Sequence, residues 1–442
     1  MSNSRYLIKG AQLPNSKVVD LLIQDGLIAS VGENLTAPDA EVLDANNCVV
    51  LPGLVDLHTH LREPGREDSE TVLSGSQAAA KGGYVAVSAM ANTSPVADTA
   101  GVVEQVWRLG QEAGLVDVFP IGAVTQGLQG VALSEMGAMA DSKAHVRIFS
   151  DDGHCVFDPL VMRRALEYVK QFDGVIAQHA QEPRLTDGSQ MNEGLVSSKL
   201  GLKGWPAVAE EAIIARDVLL AEHVQSRLHI CHVTTAGGVE IIRWAKARGI
   251  SVTAEVTPHH LLLTDESVNS YDPVFKVNPP LRTQEDVMAL RAALADGTID
   301  IVATDHAPHP AEAKECEWQE AAFGMLGLET ALAIVNKTMV QTGLMSWADV
   351  AMRMSITPAR IGGYVNHGHE IAVGAPAHLT VIDPTQISRV DRDLVASRSR
   401  NTPFHGIELP GVVIATFFKG KPTFWKGQVS QGTVSQSPGG AL

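Results

Sequence analysis

Short apolar runs alternate with stretches of helical periodicity through the middle of the chain. Runs such as YVAVSAM, VDVFPIGAV, GVIAQHA and DIVATDHA have strand length, whereas DPLVMRRALEYVKQF and TQEDVMALRAALADG repeat apolar residues at helical spacing. This alternation indicates βα units around a parallel sheet. About eight such units in a region of about 310 residues favour a closed (β/α)8 TIM barrel over an open doubly wound sheet.

Both ends of the chain have a different pattern, of short strands separated by turns. Asp25-Gly26 is a hairpin signal near the N-terminus, and Gly420-Lys421 predicts a second turn near the other end. We expect the two end segments to pair into one small β-sandwich domain. The predicted division is residues 1–52 and 366–430 for that domain, 53–365 for the barrel, and 431–442 for a flexible tail.

Composition and charge limit the class of protein. The 442 residues are 45% hydrophobic and 19% charged, with a formal net charge of −16. These values are typical of a globular protein and argue against a nucleic-acid or membrane partner. Four dispersed cysteines fit a reducing compartment, and no apolar run reaches the length of a membrane span. We therefore expect a cytoplasmic location.

Polar residues follow the apolar runs at one end of the predicted strands. They are His58 and His60 after GLVDL, Asn92 after VAVSAMA, Asp151 and Asp152 after VRIFS, His179 after GVIAQ, His232 after LHIC, and Asp305 after IDIVAT. The C-terminal strand ends of a barrel converge on one mouth, where barrel enzymes place their chemistry. We therefore expect these scattered residues to form one cluster.

The histidines and aspartates of this set predict a metal site. A His-x-His pair that leaves a strand points both imidazoles to the same side, although the pair alone could equally be a turn with one capping and one exposed imidazole. His179 or His232 alone would more often be an ordinary buried histidine. Four imidazoles and two carboxylates exceed what one tetrahedral zinc uses. Two zinc ions that share a bridging carboxylate and a water account for the number, with cobalt or manganese as alternatives.

By these motifs the chain resembles the class I dihydroorotases of the amidohydrolase superfamily. The motifs VDLHTHLREPG, GGYVAVSAMANTSP, FSDDG, ICHVTTAGG, TAEVTPHHLLLT, KVNPPLR, DIVATDHAPH and FGMLGLET occur in this order over nearly the whole chain. The resemblance implies reversible hydrolysis and cyclisation between L-dihydroorotate and N-carbamoyl-L-aspartate in de novo pyrimidine (UMP) biosynthesis. It also implies a zinc-bridging hydroxide as nucleophile and Asp305 as general acid/base.

The resemblance assigns metal ligands residue by residue. One zinc would be held by His58, His60 and Asp305, and the other by His179 and His232. An aspartate of SDDG would bridge them. Asp152 is preferred because its spacing to the next histidine ligand is similar to that of relatives, and Asp151 stays the alternative.

The resemblance also assigns substrate contacts. Arg62, with Asn92, His60 and His309, would bind the substrate carboxylate, because a guanidinium fork suits that group. Asn278 and the backbone of Phe323 and Gly324 would contact the amide edge of the ring. Arg66, His154 and Cys155 lie nearby in sequence and receive no role.

Two other functions stay open. One is another cyclic amidohydrolase, such as a hydantoinase, dihydropyrimidinase or allantoinase; these usually bridge their metals with a carboxylated lysine, and AHVRIFSDDG offers none. The other is a structural dihydroorotase-like partner of aspartate transcarbamoylase, which should have lost metal ligands. We expect a small-molecule substrate and a homo-oligomer, and association of an active enzyme with aspartate transcarbamoylase stays open.

Overall fold

The computed structural model describes residues 5–432. Its strands, in chain order, are β1 (Tyr6–Gln12), β2 (Val18–Gln24), β3 (Leu27–Gly32), β4 (Glu41–Asp44), β5 (Val49–Pro52), β6 (Leu54–Thr59), β7 (Tyr84–Ala89), β8 (Asp117–Pro120), β9 (Ile148–Phe149), β10 (Val175–Gln178), β11 (Met191–Asn192), β12 (Gly204–Trp205), β13 (Leu228–Ile230), β14 (Val252–Val256), β15 (Ile301–Val302), β16 (Leu379–Arg389), β17 (Glu408–Phe418), β18 (Lys421–Trp425) and β19 (Gln428–Val429).

The α-helices lie mainly between the central strands. They are α1 (Val72–Gly82), α2 (Ala100–Ala113), α3 (Met136–Asp141), α4 (Pro159–Val169), α5 (Leu195–Leu200), α6 (Val208–Val224), α7 (Ala236–Ala247), α8 (Gln284–Asp296), α9 (Ala311–Lys314), α10 (Ala331–Val335), α11 (Trp347–Ala351) and α12 (Thr357–Gly362). Two π-helical turns, Asn336–Val340 and Met352–Ile356, continue α10 and α11.

Both chain ends contribute to one mixed sheet, in the order β19-β18-β17-β16-β5-β1-β2-β3, with β4 paired to β1. In a flat sheet β1 and β17 would lie about 14 Å apart, because neighbouring strands are about 4.8 Å apart. The ring centroids of Tyr6 on β1 and Phe417 on β17 are instead 5.4 Å apart. The sheet therefore folds over its own apolar core, as the predicted β-sandwich requires.

The hairpin signals near the two ends have different outcomes. Asp25 and Gly26 connect the antiparallel strands β2 and β3, as predicted. The turn predicted at Gly420-Lys421 lies one residue earlier, at Lys419-Gly420, and Lys421 already begins β18. Both turn residues have positive φ, 51° and 73°, which matches the type of two-residue turn that suits the twist of a hairpin.

Eight parallel strands form the predicted (β/α)8 barrel. Strands β6, β7 and β8 pair in one run, and β9, β10, β13, β14 and β15 pair in a second. A parallel bridge between Gly122 and Phe149 joins the two runs on one side, and a parallel bridge between Thr59 and His306 closes the ring on the other. The C-terminal ends of all eight strands therefore surround one mouth.

Local sequence explains why these segments form their elements. Every residue of β6 and β7 is buried, as expected for strands covered by helices on the outside of a barrel. Helix α4 begins where the Asp158 side chain accepts hydrogen bonds from Leu160 N and Val161 N. Helix α8 begins with a capping box at Thr283 and ends at Gly297, whose φ of 88° suits glycine.

Among residues 5–432, no helix is both long enough and apolar enough to cross a membrane. The cysteines Cys48, Cys155, Cys231 and Cys316 are free thiols. The tail predicted for 431–442 lies outside the described residues from 433 onward.

Candidate metal centre and substrate pocket

Strand ends of the barrel bring six buried side chains together. His58 belongs to β6 and His60 follows it; Asp152, His179, His232 and Asp305 lie just beyond β9, β10, β13 and β15. Each of these side chains is at most 5% exposed. The cluster therefore lies at the barrel mouth and is nearly closed to solvent.

Asp152 lies between two pairs of histidines. Its Oδ2 atom is 3.4 Å from Nε2 of His58 and 3.4 Å from Nε2 of His60. Its Oδ1 atom is 3.1 Å from Nδ1 of His179 and 3.1 Å from Nε2 of His232. Each carboxylate oxygen thus faces one pair, which is the arrangement needed for one carboxylate to contact two cations.

Asp151 points away from the histidines. Its carboxylate accepts hydrogen bonds from Val124 N at 2.8 Å and Thr125 N at 2.9 Å, and from the Thr125 hydroxyl. Burial raises the pKa of Asp151, and these hydrogen bonds oppose that effect. The geometry therefore separates the two aspartates that the sequence left open, since only Asp152 lies among the imidazoles.

Asp305 faces the first histidine pair from the last barrel strand. Its Oδ1 atom is 3.0 Å from Nε2 of His60 and 3.4 Å from Nε2 of His58. Burial alone would raise the pKa of Asp305, but His58 and His60 lower it to about 2. Its backbone is in the left-handed region, with φ 45°, as is that of His232, with φ 31°. Backbone strain of this kind is common where surrounding structure fixes a functional side chain.

Hydrogen bonds on the outer side of the rings fix their orientation. His58 Nδ1 is 2.5 Å from Oε1 of Glu255, and His179 Nε2 is 2.7 Å from Oε1 of Gln181. A ring N–H that donates to such an oxygen leaves the other ring nitrogen with a lone pair directed into the cluster. Sequence reasoning missed both partners, although Glu255, an acidic residue in the buried run VTAEV, was a usable signal.

The donor set fits a metal. His58 Nε2 is buried and has no hydrogen-bond partner among the described residues. Nδ1 of His179 and Nε2 of His232 face each other at 2.9 Å, on either side of the same oxygen of Asp152. Nitrogen and carboxylate ligands in this number suit a first-row divalent cation. His58, His60 and Asp152 form one candidate ligand group, and Asp152, His179 and His232 form another.

A cavity of ≈ 410 Å³ opens from the cluster to solvent. Its walls include His60, Arg62, Arg66, Asn92, Asp152, His154, Asn278, Asp305, His309, Phe323 and Gly324. The substrate residues expected from the sequence therefore share one cavity with the candidate ligands. His154 is exposed at this cavity, whereas Cys155 is buried, and burial raises the pKa of its thiol to about 12.

Arg62 is a buried cation in the wall of this cavity. Its Nε atom donates to Pro308 O at 3.0 Å, and its Nη2 atom is 3.4 Å from Nε2 of His309. Burial, with the nearby Arg66, lowers the pKa of Arg62 to about 10, so the guanidinium stays charged at neutral pH. Asn92 Oδ1 lies 2.9 Å from Nδ1 of His60, which leaves the amide N–H groups of Asn92 for the cavity.

His309 is neutral and lies beside this guanidinium. Burial, followed by the charge of Arg62, lowers the pKa of His309 to about 3. Its Nε2–H donates to Phe323 O at 2.7 Å. Because His309 is neutral, Arg62 carries the positive charge of this pair. An anion in this part of the cavity would therefore be attracted to the guanidinium of Arg62.

The remaining predicted contacts are only partly free. The Oδ1 atom of Asn278 is buried without a hydrogen-bond partner in the described part of the chain, so it can accept an N–H from a ligand. Gly324 N already donates to Lys276 O at 2.9 Å, and Phe323 O already accepts from His309. The Gly324 N–H would have to leave Lys276 O before it could donate to a ring, and its expected substrate contact stays a prediction.

Solved structures share this architecture over almost the whole chain. The L-hydantoinase (dihydropyrimidinase) from Arthrobacter aurescens aligns with a TM-score of 0.85 at 25% sequence identity, covering 97% of each chain. The barrel, the sandwich and the cluster at the barrel mouth define this chain as an enzyme of the amidohydrolase superfamily.

Sequence comparisons then identify the family within that superfamily. The family model described as dihydro-orotase-like matches residues 47–237. The dihydroorotase of Streptomyces coelicolor is 67% identical over 427 residues, covering 97% of this chain and 100% of that protein. The dihydroorotase of Leifsonia xyli subsp. xyli is 63% identical over 441 residues, covering 100% of both. The chain belongs to the dihydroorotase family.

Proposed function

We propose that this chain interconverts L-dihydroorotate and N-carbamoyl-L-aspartate, as a dihydroorotase of de novo pyrimidine biosynthesis. The observation that carries the proposal is a shared cavity: the buried guanidinium of Arg62 and the carboxylate of Asp305 both line it. One group suits a substrate carboxylate, and the other lies beside the candidate metal ligands. Relatives of 67% and 63% identity that carry the name dihydroorotase support the same reaction.

The proposed cofactor is a pair of zinc ions. His58, His60 and Asp305 would hold one ion, His179 and His232 would hold the other, and Asp152 would bridge them. The split of the Asp152 oxygens between the two histidine pairs supports this assignment. When bound, the ions would supply Lewis acidity and lower the pKa of a water molecule toward neutrality.

Asp305 is the proposed general acid/base. The imidazoles beside it keep its carboxylate ionised at neutral pH, so it can accept a proton from the attacking water during ring opening. It then passes that proton to the departing ring nitrogen. Ring closure is the reverse, with the proton moving from the carbamoyl nitrogen to Asp305.

The proposed substrate contacts lie on two walls of the cavity. Arg62 and Asn92, with His60 and His309, would bind the carboxylate that is present in both substrates. Asn278 would accept an N–H of the ring through its unpaired Oδ1 atom. Phe323 and Gly324 would form the facing wall, although Gly324 N already has an acceptor within the chain.

The alternative ring substrates are less well supported. Hydantoinases share the fold, and the A. aurescens enzyme shares 25% of its sequence with this chain. The segment around β9, AHVRIFSDDG, offers no lysine for a carboxylated bridge, and Arg62 provides a cation that a neutral hydantoin does not need. A purely structural role is opposed by the two candidate ligand groups at the barrel mouth, His58 with His60 and Asp152, and Asp152 with His179 and His232.

We propose a β-domain of residues 1–52 and 366–430 and a barrel of residues 53–365, with the change between them near Gly53. We also propose that the chain forms a homo-oligomer. A cytoplasmic location is proposed separately, and the four free thiols support it because they fit a reducing compartment. Association with aspartate transcarbamoylase is a further candidate, to be tested by co-purification with that enzyme.

A substrate panel with metal analysis tests the main proposal. The purified protein should hold two zinc ions per chain and should act on L-dihydroorotate and on N-carbamoyl-L-aspartate. Hydantoin, dihydrouracil and allantoin serve as comparison substrates and should be poor. A protein that prefers one of these rings, or that is inactive with both metals bound, would contradict the proposal.

A further inference from the structure

The segment from Ala311 to Gly324 ends in one wall of the cavity, although little regular structure supports it. It contains the single turn α9, and the rest of it consists of turns, bends and irregular backbone without a helix or strand. Loops of this kind are usually the mobile parts of a protein surface. Its last two residues, Phe323 and Gly324, line the cavity. Something must therefore hold this segment if it is to present a fixed wall.

Two buried lysines tie the segment to the chain before Asn278. Lys276 is 2% exposed, and its Nζ atom donates to Trp318 O at 2.7 Å and to Gln319 O at 3.0 Å. Lys314 is 6% exposed, and its Nζ atom donates to Lys276 O at 3.1 Å and to Ala322 O at 2.8 Å. Both ammonium groups therefore link backbone carbonyls of the segment to the chain at Lys276.

These lysines are unusual because nothing neutralises them at short range. Neither ammonium forms an ion pair with a carboxylate within residues 5–432, and a buried charge without such a partner is costly. Burial, with the adjacent Lys276, lowers the pKa of Lys314 to about 7. An apolar side chain would fill either site without that cost, so the specific contribution of these lysines is the set of carbonyls that they hold.

The backbone carbonyls in these contacts connect the lysines to the part of the cavity that contains His309 and Arg62. Lys276 O accepts both Lys314 Nζ and Gly324 N, and the Lys276 ammonium lies 4.6 Å from the ring centroid of Phe323. Phe323 O in turn accepts the Nε2–H of His309. The position of the segment therefore sets both the wall and the orientation of the imidazole beside Arg62.

We propose that Lys276 and Lys314 are positioning residues that fix the Phe323–Gly324 wall and thereby set the affinity for dihydroorotate and carbamoyl aspartate. This inference rests on the proposed function. Neither lysine lines the cavity, so each acts through the backbone it holds. Removing a tie should loosen the wall and weaken substrate binding, and should leave the candidate metal ligands in place, because neither lysine contacts them.

Lys276→Met and Lys314→Met test the inference, with Lys246→Met as the matched control. Lys246 also donates to a backbone carbonyl, Gly297 O at 3.1 Å, and pairs with Asp300, but it lies away from the cavity. In both test variants we expect KM for both substrates to rise about 10-fold while kcat changes by less than about 3-fold, which is the pattern of lost uniform binding. The control should keep both constants.

Local hydrogen exchange distinguishes positioning from general destabilisation. Backbone amides of residues 309–325 should exchange faster in both test variants, with metal content unchanged, and Lys314→Arg should restore KM in part because it keeps a charged donor. Unchanged KM and unchanged exchange in folded variants of an active wild type would overturn the inference, as would a lower Tm with KM unchanged. If Lys314→Met does not fold, Lys314→Gln is measured instead. If the wild type itself is inactive on both substrates, the result contradicts the proposed function and not the role of the lysines.

Discussion

Nδ1 of His58 lies 2.5 Å from Oε1 of Glu255, a pairing between the first and seventh strands of the barrel. Glu255 also accepts from the backbone N of His232 at 3.2 Å and lies 3.0 Å from Nε2 of His229. One buried carboxylate thus orients a ring of one candidate ligand pair and the backbone of the other. Burial would raise the pKa of Glu255, but His58 and His229 lower it strongly, so it is ionised.

Glu255→Gln should therefore weaken metal binding without removing a ligand. Loss of an outer carboxylate partner typically costs about 10- to 100-fold in metal affinity, and we expect a loss in that range. Competition with a chromophoric chelator measures it. Glu329→Gln is the control, because Glu329 pairs with Lys81 outside the cavity. Equal metal affinity in Glu255→Gln and the wild type would contradict this role.

Asp152→Asn should lower metal content, whereas Asp151→Asn should lower stability, although the two residues are adjacent. Asp152→Asn removes the charge shared by both histidine pairs, so metal content should fall at both positions. Asp151→Asn should keep its metal but lose about 1–3 kcal/mol of stability, because its hydrogen bonds to Val124 and Thr125 are weakened. Metal analysis and thermal unfolding separate the two. Loss of metal in Asp151→Asn with metal retained in Asp152→Asn would instead favour Asp151 as the bridging residue.

Asp305→Asn should abolish most turnover in both directions while keeping an oxygen ligand. Loss of a general acid/base typically costs about 10²- to 10⁴-fold in kcat. Steady-state rates with dihydroorotate and with carbamoyl aspartate, at matched metal content, provide the measurement. Asp300→Asn is the control, because Asp300 pairs with Lys246 away from the barrel mouth. Near-normal kcat in Asp305→Asn would exclude the proton-transfer role.

Arg62→Met should weaken binding of both substrates because both carry the carboxylate that Arg62 is proposed to bind. A lost hydrogen bond to a charged group costs about 1.5–3 kcal/mol, so kcat/KM should fall about 10- to 150-fold with metal content unchanged. Arg66→Met should have a smaller effect, because Arg66 is exposed at the cavity mouth. If Arg66→Met had the larger effect, the two arginines would have to exchange roles.

Removal of metal should inactivate the enzyme and destabilise the barrel mouth. Without cations, the buried carboxylates of Asp152 and Asp305 are balanced by the surrounding imidazoles and by Arg62, and His58 Nε2 has no hydrogen-bond partner among the described residues. Dialysis against a chelator should abolish activity and lower Tm, and added zinc should restore both. Full activity after verified loss of metal would reject the proposed chemistry.

The sequence by itself determined the architecture and the neighbourhood of the site. Alternation of apolar runs with helical periodicity is a local property, and it predicted the barrel and its strands, including β7, β10 and β15. The position of His58, His179 and Asp305 after such runs was enough to predict that they meet at one mouth, because parallel strands end on the same side.

Only the tertiary structure decided which atoms face each other. It placed Asp152 between the histidine pairs and turned Asp151 toward the chain after β8, a choice between neighbours that no spacing rule makes. It paired His58 with Glu255, and it tied the Phe323–Gly324 wall through Lys276. Such contacts join residues distant in sequence, and their geometry depends on how strands register around the closed barrel, which local patterns do not encode.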